Sequence, residues 1–374
     1  MNEIDLSVVI VSWNTADMTA ACLRALRDDP TSLRRQVIVV DNASEDGTAE
    51  RVAREHPEVE LVRNAQNLLY AAANNQGAAR ARGRHLCLLN SDAMVEPGTL
   101  DRLVRFLDQS PEYAAASPKL VGRDGVVQRA CARFPTLATA LVHSTALGLV
   151  PPGAWIAARG RMEDFDHEAS ADVDQPPTSC FVVRKSDYDA IGGFDPRMSL
   201  YFNDVDLCYR LWRRGRRIRF LADVEVVHEA GGSTGRARRR ERNIVWTRDR
   251  EAYYTKRYGV LGRAWTRAVL ATSTAEIAAR ILAGRARDAG AQLRALSEQL
   301  RMTLAPEAPA IALEPAPTVT PTTVPSSERV RESKIRMVER SRDATISSTI
   351  SSPSRSPAAI ALGGSVSPIA VRAP

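Results

Sequence analysis

Short apolar runs alternate with amphipathic stretches over about the first 110 residues. The apolar runs are nearly continuous, as in parallel strands that are buried on both faces, and they lie at 6–13, 36–40, 59–64 and 85–90. The amphipathic stretches have helical spacing and lie at 16–28, 47–55, 70–82 and 97–109. Strand, helix and strand at this spacing predict right-handed βαβ units in an open, mostly parallel, Rossmann-like α/β sheet.

The pattern changes in the rest of the chain. Shorter strands are predicted at 119–122, 126–131, 179–185 and 218–228, with a polar, mobile segment near 160–177. Helical spacing returns at 243–300, and the remainder is rich in Pro, Ser and Thr, which predicts disorder. We therefore divide the chain into a globular domain (1–242, with halves at about 1–112 and 113–242), a C-terminal helical segment (243–302) and a disordered tail (303–374).

Arginine supplies most of the excess positive charge. The 51 Lys and Arg residues exceed the 44 Asp and Glu residues, for a net charge of +7, and arginines cluster at 213–219 and 235–242. Such clusters suit a polyanionic partner, an anionic membrane surface or a phosphate-bearing substrate, and they also occur as solvated basic faces. With 44% apolar and 25% charged residues, the chain has a globular composition, so global disorder is excluded.

The five cysteines show no CxxC spacing and no Cys/His cluster. This predicts reduced, structural thiols in a reducing compartment. The N-terminal segment carries acidic residues where a secretory signal needs basic ones, and no segment reaches the ~18 uninterrupted apolar residues of a membrane span. We therefore expect a cytoplasmic protein, and the arginine clusters leave peripheral membrane contact open.

Polar residues follow each of the first four predicted strands. The segments are SWNT (12–15), DNAS (41–44), NAQN (64–67) and NSDA (90–93). Ligands of an open α/β sheet bind beyond the carboxyl ends of its strands, so these segments should converge on one crevice. The first segment contains neither GxGxxG nor a Walker loop. The obvious substitute for a glycine-rich phosphate loop is a metal ion that bridges a diphosphate to a protein carboxylate.

Three residues of this crevice are candidate ligands. Asp92 ends a buried strand and is the natural metal ligand, and its alternative role is to cap the helix that starts near Pro97. For Asp41, ligand binding and a structural role are equally expected, because DNASEDGT is also a good turn and cap sequence. His228 ends an apolar strand before a glycine pair. A lone histidine is usually a hydrogen-bonded structural residue, but this position suits a second metal ligand.

The segment YFNDVDLCYR, residues 201–210, places two carboxylates near the start of a predicted helix. Asp204 and Asp206 are about 200° apart on a helix, so only one of them can face the crevice. Asp204, at the helix N-terminus, is the better candidate for a general base, and Asp206 should support the turn or pair with an arginine. The alternative is a capped helix without chemistry.

Together these segments resemble the inverting glycosyltransferases of family 2, which use nucleotide-diphospho-sugars on the A-type glycosyltransferase (GT-A) fold. The resemblance runs from Val8 to about Gly259, and the branch most resembled is that of bacterial rhamnosyltransferases and galactofuranosyltransferases of cell-wall and O-antigen assembly. Each block alone is weak, but their joint order is specific. The blocks are VVIVSWN, VIVVDNASEDGT, NAQNLLYAAANNQG, LCLLNSDAMVEPGTL, SCFVVRKSDYDAIGGFDPRMSLYFNDVDLCYRLWRRG and VVHEAGGS.

The resemblance implies a nucleotide-sugar half before residue 113 and an acceptor half after it. Asp41 would contact the nucleotide base, and Asn14 and Asn67 would line the nucleotide pocket. Asp92 stands in the metal-binding motif, where Mg²⁺ or Mn²⁺ would bind.

The resemblance also implies a mechanism. His228 would be a further ligand of the metal or the diphosphate, and Asp204 would be the general base. The metal neutralises the leaving diphosphate, the base takes the proton of an acceptor hydroxyl, and direct displacement inverts the anomeric centre without a covalent intermediate. The acceptor would be a cell-envelope glycan or a polyprenyl-diphosphate-linked molecule, and no nucleic acid partner is expected.

The chain departs from the family pattern at three places. Asn203 stands where many members have a glutamate next to the base. This chain therefore lacks the carboxylate that would support Asp204. Leu69 and Tyr70 stand where members often have Gly-Phe, which could reshape the sugar pocket. The motif NSDA has one acid where some relatives have two, so modest metal affinity is expected.

Two other functions stay open from the sequence. A sugar nucleotidyltransferase also binds its ligand at the strand ends of an open α/β sheet. It normally has a glycine-rich and basic loop after the first strand, which this chain lacks. A non-catalytic, membrane-associated binding protein derived from a transferase would use the arginine clusters and the helices of 243–302. The same helices could form a membrane-surface contact or a homodimer interface.

Overall fold

The computed structural model describes residues 4–229, 239–284 and 289–304. The predicted disordered tail lies outside the described residues from residue 305 onward, and so does the first part of the arginine cluster at 235–242.

The first part of the chain alternates strands and helices as predicted. Its elements are β1 (Leu6–Ser12), α1 (Ala16–Asp28), β2 (Arg35–Asp41), α2 (Thr48–Glu55), β3 (Glu60–Arg63), α3 (Leu69–Ala78), β4 (His85–Asn90), β5 (Ala93–Val95) and α4 (Thr99–Gln109).

The second part has longer connections and more helix. Its elements are β6 (Tyr113–Val121), α5 (Leu137–Val142), a 3-10 helix (Ala146–Leu149), α6 (Gly153–Gly160), β7 (Ala171–Asp172), β8 (Cys180–Arg184), α7 (Lys185–Ala190), α8 (Asn203–Arg213), β9 (Arg217–His228), α9 (Arg239–Leu282) and α10 (Ala289–Leu304). The long helix α9 is broken at Gly259, whose φ of 62° and ψ of −143° are not helical.

The strands form one sheet in the order β3-β2-β1-β4-β8-β6-β9-β5, and β7 pairs with β9. Strands β3, β2, β1 and β4 are parallel, β8 enters antiparallel, and β6 and β9 are parallel to each other. Ser12 is in register with Asp41, and Val11 with Asn90, so β1, β2 and β4 end at the same edge. The prediction of an open, mostly parallel α/β sheet is confirmed.

Helices cover both faces of the sheet because its strands are apolar on both sides. Val8 and Ile10 of β1 pack in a cluster with residues of α1, α2 and α4, whereas Val9 packs on the other face with residues of α3 and α8. Gly77 lets α3 lie close to the sheet, since a Cβ atom there would be 2.5 Å from Cγ1 of Val9. This close packing holds the C-terminal end of α3 against Val9 of β1 and Val40 of β2.

One predicted strand is wrong. Residues 126–131 form no strand, because the chain turns back at 122–125 and then makes only the isolated bridge between Val121 and Val127. The backbone N–H of Cys131 instead donates to Nε2 of His167. The strands predicted around 179–185 and 218–228 are confirmed as β8 and β9.

All five cysteines are described, free and buried, as predicted for structural thiols. Among the described residues, no helix combines the length and the apolar character that a membrane span needs.

Candidate active site

Hydrogen bonds join the polar segments that follow β1, β2 and β3. The backbone N–H of Asn14 donates to Oγ of Ser44 (2.9 Å), and Nδ2 of Asn42 donates to Oδ1 of Asn67 (2.7 Å). Asn64 donates through Nδ2 to Oδ1 of Asn42 (3.1 Å). We call the set Asn14, Asp41, Asn42, Ser44, Asn64 and Asn67 the strand-end network.

The segment after β4 joins the same region through hydroxyl groups. Oγ of Ser91 lies 3.2 Å from Oγ1 of Thr15, which in turn lies 2.9 Å from Oγ of Ser12. The predicted convergence of the four strand ends is therefore confirmed.

Asp41 is a buried carboxylate with one unused oxygen. Its side chain is 3% exposed, and Oδ2 accepts from the backbone N–H of Ser44 at 3.1 Å. Among the described residues, no hydrogen-bond donor reaches Oδ1. Burial raises the pKa of Asp41, because the charged form loses its hydration. A ligand N–H group would therefore find an acceptor at Oδ1.

Asp92 and His228 lie side by side where β4 ends and β9 ends. Ala93 of β5 is in register with His228, and Oδ1 of Asp92 is 3.4 Å from Nε2 of His228. Both side chains are buried. The structure thus brings together the two residues that the sequence proposes as metal ligands.

Gln128 fixes the orientation of the His228 ring. Its Nε2 donates to the backbone carbonyl of His228 at 2.8 Å, and its Oε1 lies 2.8 Å from Nδ1. Because Oε1 can only accept, Nδ1 carries a proton, and in the neutral ring Nε2 presents its lone pair toward Asp92. No group of three or more His, Cys, Asp or Glu side chains suited to a metal occurs among the described residues.

Asp204 lies in the first turn of α8 and is partly buried. Oδ1 accepts from the backbone N–H of Val205 at 2.8 Å, and Oδ2 accepts from Nε2 of Gln175 at 3.0 Å. Burial raises the pKa of Asp204 against the opposing effect of these hydrogen bonds. Phe202, which precedes α8, has a φ of 57° and turns the chain sharply into the helix.

Asn203 and Asp206 differ in how many of their polar side-chain atoms have a hydrogen-bond or ion-pair partner. Oδ1 of Asn203 accepts from the backbone N–H of Asp204 at 2.7 Å, but its buried Nδ2 has no hydrogen-bond partner among the described residues. Asp206 instead pairs with Nε of Arg210 at 2.6 Å and with Nζ of Lys256 at 2.8 Å. The prediction that the two aspartates separate, with Asp206 pairing to an arginine, is confirmed.

Tyr70 connects the two sides of the site. Its hydroxyl donates to Oδ1 of Asn90 at 3.3 Å, and its ring packs against Phe194. Burial raises the pKa of Tyr70, and the nearby charges of Asp204 and Asp92 raise it further, so the phenol keeps its proton. The hydroxyl also lies 3.5 Å from the backbone carbonyl oxygen of Thr178, in the loop that carries Gln175.

The sequence interpretation missed two residues of α9 that hold the approach to α8. Asp249 is fully buried, and its Oδ2 accepts from the backbone N–H groups of Leu200 (2.8 Å) and Tyr201 (3.0 Å). Nζ of Lys256 lies 2.8 Å from both Asp195 and Asp206. We call Asp249 and Lys256 the α9 clamp. The sequence gives one signal for this clamp: Asp249 lies between two arginines in a segment with helical spacing.

Two family models match the chain. One, described as glycosyl transferase family 2, matches residues 7–152, and the other, described as glycosyl transferase family group 2, matches residues 85–286, which is more than half of the chain.

The chain is also similar to named relatives and to a solved structure. An N-acetylglucosaminyl-diphospho-decaprenol L-rhamnosyltransferase of Mycobacterium tuberculosis is 29% identical over 247 residues, which covers 62% of this chain and 78% of that protein. A pre-mycofactocin glycosyltransferase of the same organism is 30% identical over 236 residues, covering 60% of this chain and 43% of that protein. A solved mannosyltransferase of Pyrobaculum calidifontis, in complex with GDP-Man and Mn²⁺, has 20% identity and a TM-score of 0.46, with 81% of each chain covered.

The family models match the regions that carry the sequence blocks and the fold described above. They favour a glycosyltransferase over the sugar nucleotidyltransferase considered from the sequence. The chain therefore belongs to the family 2 glycosyltransferases.

Proposed function

We propose that this glycosyltransferase moves a rhamnose-like or galactofuranose-like sugar from a nucleotide-diphospho-sugar to a hydroxyl group, with inversion at the anomeric carbon. The observation that carries the proposal is that Asp92 lies 3.4 Å from His228 at the strand ends, whereas Gln175 and the N–H of Val205 hold Asp204 at the start of α8. One carboxylate is then available as a base and the other as a metal ligand.

The strand-end network suits a nucleotide. Oδ1 of Asp41 is a buried acceptor without a donor among the described residues, and an N–H group of a nucleobase would satisfy it. Asn14 is tied to Asp41 through Ser44, and Asn67 is tied to the neighbouring Asn42. These contacts support a nucleotide pocket at the ends of β1 to β3.

Asp92 and His228 would hold the divalent metal, Mg²⁺ or Mn²⁺. A carboxylate oxygen and an imidazole lone pair 3.4 Å apart are both acceptors, so a cation that binds them satisfies both. Such ions are commonly held by one or two carboxylates together with substrate phosphates, which fits a site with two protein ligands. When bound, the metal neutralises charge that develops on the leaving diphosphate.

Asp204 would accept the proton of the attacking hydroxyl group. Its raised pKa makes it a stronger base than an exposed aspartate. Gln175 and the N–H of Val205 orient the carboxylate. Tyr70 stays protonated, and its one O–H group can donate to a sugar or phosphate oxygen in place of Asn90.

The acceptor would be a cell-envelope glycan or a polyprenyl-linked molecule. This part rests on the mycobacterial relative, whose name gives a decaprenol diphosphate acceptor. In the arginine cluster at 213–219, Arg216 pairs with Asp187, and Arg217 and Arg219 pair with Asp172. Internal ion pairs account for these three arginines, whereas Arg213 and Arg214 are exposed and suited to a diphosphate.

A donor screen with purified protein tests the proposal. Thermal shift and transfer would be measured with UDP-, dTDP- and GDP-sugars, with and without Mn²⁺, on a short polyprenyl-diphosphate-linked acceptor. We expect one nucleotide series to stabilise the protein and the product to have inverted anomeric configuration by NMR. Retained configuration, or full activity after chelation of the metal, would contradict the mechanism.

A further inference from the structure

A long uncharged segment lies between β6 and β7. Residues 134–158 contain no Asp, Glu, Lys or Arg, in a chain in which 25% of residues are charged. Burial lowers the pKa of His143, the histidine of this segment, so the segment is neutral near pH 7.

Four large apolar side chains of this segment are exposed within residues 147–155. Leu147 is 50% exposed, Leu149 77%, Val150 53% and Trp155 65%. Leu147 and Leu149 lie on the 3-10 helix, Val150 directly follows it, and Trp155 lies on α6. We call these four side chains the apolar ridge. Contiguous exposed apolar groups on a folded protein mark contact surfaces.

The apolar ridge is fixed to the body of the protein by α9. Arg250 donates to Oγ of Ser144 at 2.7 Å, and the backbone N–H of Ala146 donates to the carboxylate of Glu276 at 2.9 Å. Nε1 of Trp265 donates to the backbone carbonyl of Leu137 at 2.8 Å. The exposed side chains are therefore displayed from an anchored element.

We propose that the apolar ridge docks on an anionic lipid surface. The first charged residue after it is Arg159, whose guanidinium lies 5.7 Å from the ring centre of Trp155, and Arg161 follows. A tryptophan beside a cation suits the headgroup region, where the ring is half in hydrocarbon and the cation meets lipid phosphate. Four acidic residues follow at 163–168; Glu163 pairs with Arg161, and Glu168 pairs with Lys119.

The small size of the apolar ridge favours lipid over protein. A standard protein interface uses roughly 20–30 residues a side, far more than the four side chains concentrated here. The inference deepens the proposed function and rests on it in one respect, since a polyprenyl-linked acceptor is embedded in such a surface.

Vesicle flotation of the full chain tests the inference. Vesicles of phosphatidylcholine alone and of phosphatidylcholine with phosphatidylglycerol are compared. We expect binding to the anionic vesicles, and the double substitution Leu149→Ser with Trp155→Ser should weaken it about tenfold or more. Val126→Ser, at a comparably exposed apolar residue (62%), is the matched control and should bind as the wild type does.

Transfer assays with a soluble and an embedded acceptor distinguish a failure of this inference from a failure of the proposed function. The double variant should keep transfer to a water-soluble, short-chain acceptor and lose transfer to an acceptor embedded in vesicles. Unchanged vesicle binding by the double variant, or equal wild-type binding to both vesicle types, would overturn the inference. So would a change in oligomeric state by light scattering, which would assign the ridge to a second copy of the chain. Vesicle binding without transfer to any acceptor would overturn the proposed function alone.

Discussion

Hydrogen bonds between neutral amide groups join Asn42, Asn64 and Asn67 in the strand-end network, whereas charged side chains of α9 hold the approach to α8. Asn42 bonds to Asn64 and Asn67 through amide groups that lie at the ends of neighbouring strands. Asp249 and Lys256 reach back from α9 to residues about fifty positions earlier in the chain. The first region depends on strand register, and the second depends on tertiary packing of a distant helix.

This difference predicts unequal sensitivity to substitution. A lost neutral hydrogen bond costs about 0.5–1.5 kcal/mol, whereas removing one partner of a buried charged group costs about 3–5 kcal/mol, because the other partner stays buried without compensation. Changes in the α9 clamp should therefore affect stability and activity together. Changes in the strand-end network should affect ligand binding first.

Asp204→Asn should give the largest loss of activity. It removes the proposed base without a change in size, and we expect kcat to fall by about 10²–10⁴-fold, the usual contribution of general base catalysis. The melting temperature and binding of the sugar donor should stay near wild type. Initial rates and thermal shift measure the two effects. Asp206→Asn is the matched control, because Asp206 pairs with Arg210 and Lys256; an equal loss of kcat in both variants would contradict the assignment.

The pH profile tests the same carboxylate without substitution. Burial raises the pKa of Asp204 above the usual value of about 4. A base acts in its deprotonated form, so activity is lost as the pH falls through the raised pKa. We expect the acid limb of kcat/KM above pH 4, and an acid limb at or below pH 4 would contradict the buried setting of the base.

Asp249→Ala tests the charged contacts of the α9 clamp. It leaves the N–H groups of Leu200 and Tyr201 without their acceptor, and we expect the free energy of unfolding to fall by about 2–4 kcal/mol. Urea denaturation measures this change. Asp249→Asn keeps an acceptor oxygen and should restore most of the stability and rate. Glu251→Ala removes partly exposed ion pairs on the same helix and should cost less than about 1 kcal/mol.

Strand-end residues could be predicted from the sequence because topology alone places them. Once residues 6–13, 36–40 and 85–90 are assigned as parallel strands, Asn14, Asp41 and Asp92 must lie at the same edge. The separation of Asp204 from Asp206 followed from helix geometry in the same way. These local rules need no knowledge of how distant segments pack.

The α9 clamp and Gln128 could not be predicted in this way. Asp249 acts on backbone N–H groups far away in sequence, and a backbone acceptor leaves no residue signature at its target. Gln128 lies in a segment whose apolar pattern favours a strand that does not form, so its contact with His228 depends on a loop path. Tertiary packing decides both positions.

Gln128→Leu tests how far the orientation of His228 matters. It removes both hydrogen bonds to His228, and we expect Mn²⁺ to bind about 10–100-fold more weakly in the presence of a nucleoside diphosphate, with the fold intact. Calorimetric titration measures the affinity. Gln175→Leu removes the comparable contact to Asp204 and should change the rate and its pH profile but not the metal affinity. Equal metal binding by wild type and Gln128→Leu would contradict the proposed ligand role.

Leu69 lies where the two regions meet, and it gives the smallest expected effect. Its backbone carbonyl accepts from Asn42, its side chain packs with Trp13 and Val245 of α9, and its φ of 64° is left-handed. Leu69→Gly and Leu69→Ala both lose the packing, but glycine avoids the left-handed strain of about 1–2 kcal/mol. We expect the glycine variant to be more stable than the alanine variant by about 1 kcal/mol by urea denaturation.

The reverse order would apply at an ordinary helical position, where glycine is about 1 kcal/mol worse than alanine. The sign of the difference therefore reports the backbone conformation of residue 69 directly. Both variants should be less stable than the wild type, because the lost contact with Trp13 and Val245 outweighs the strain that glycine relieves. If the alanine variant is the more stable, the left-handed turn that joins the strand-end network to α3 is not present in solution.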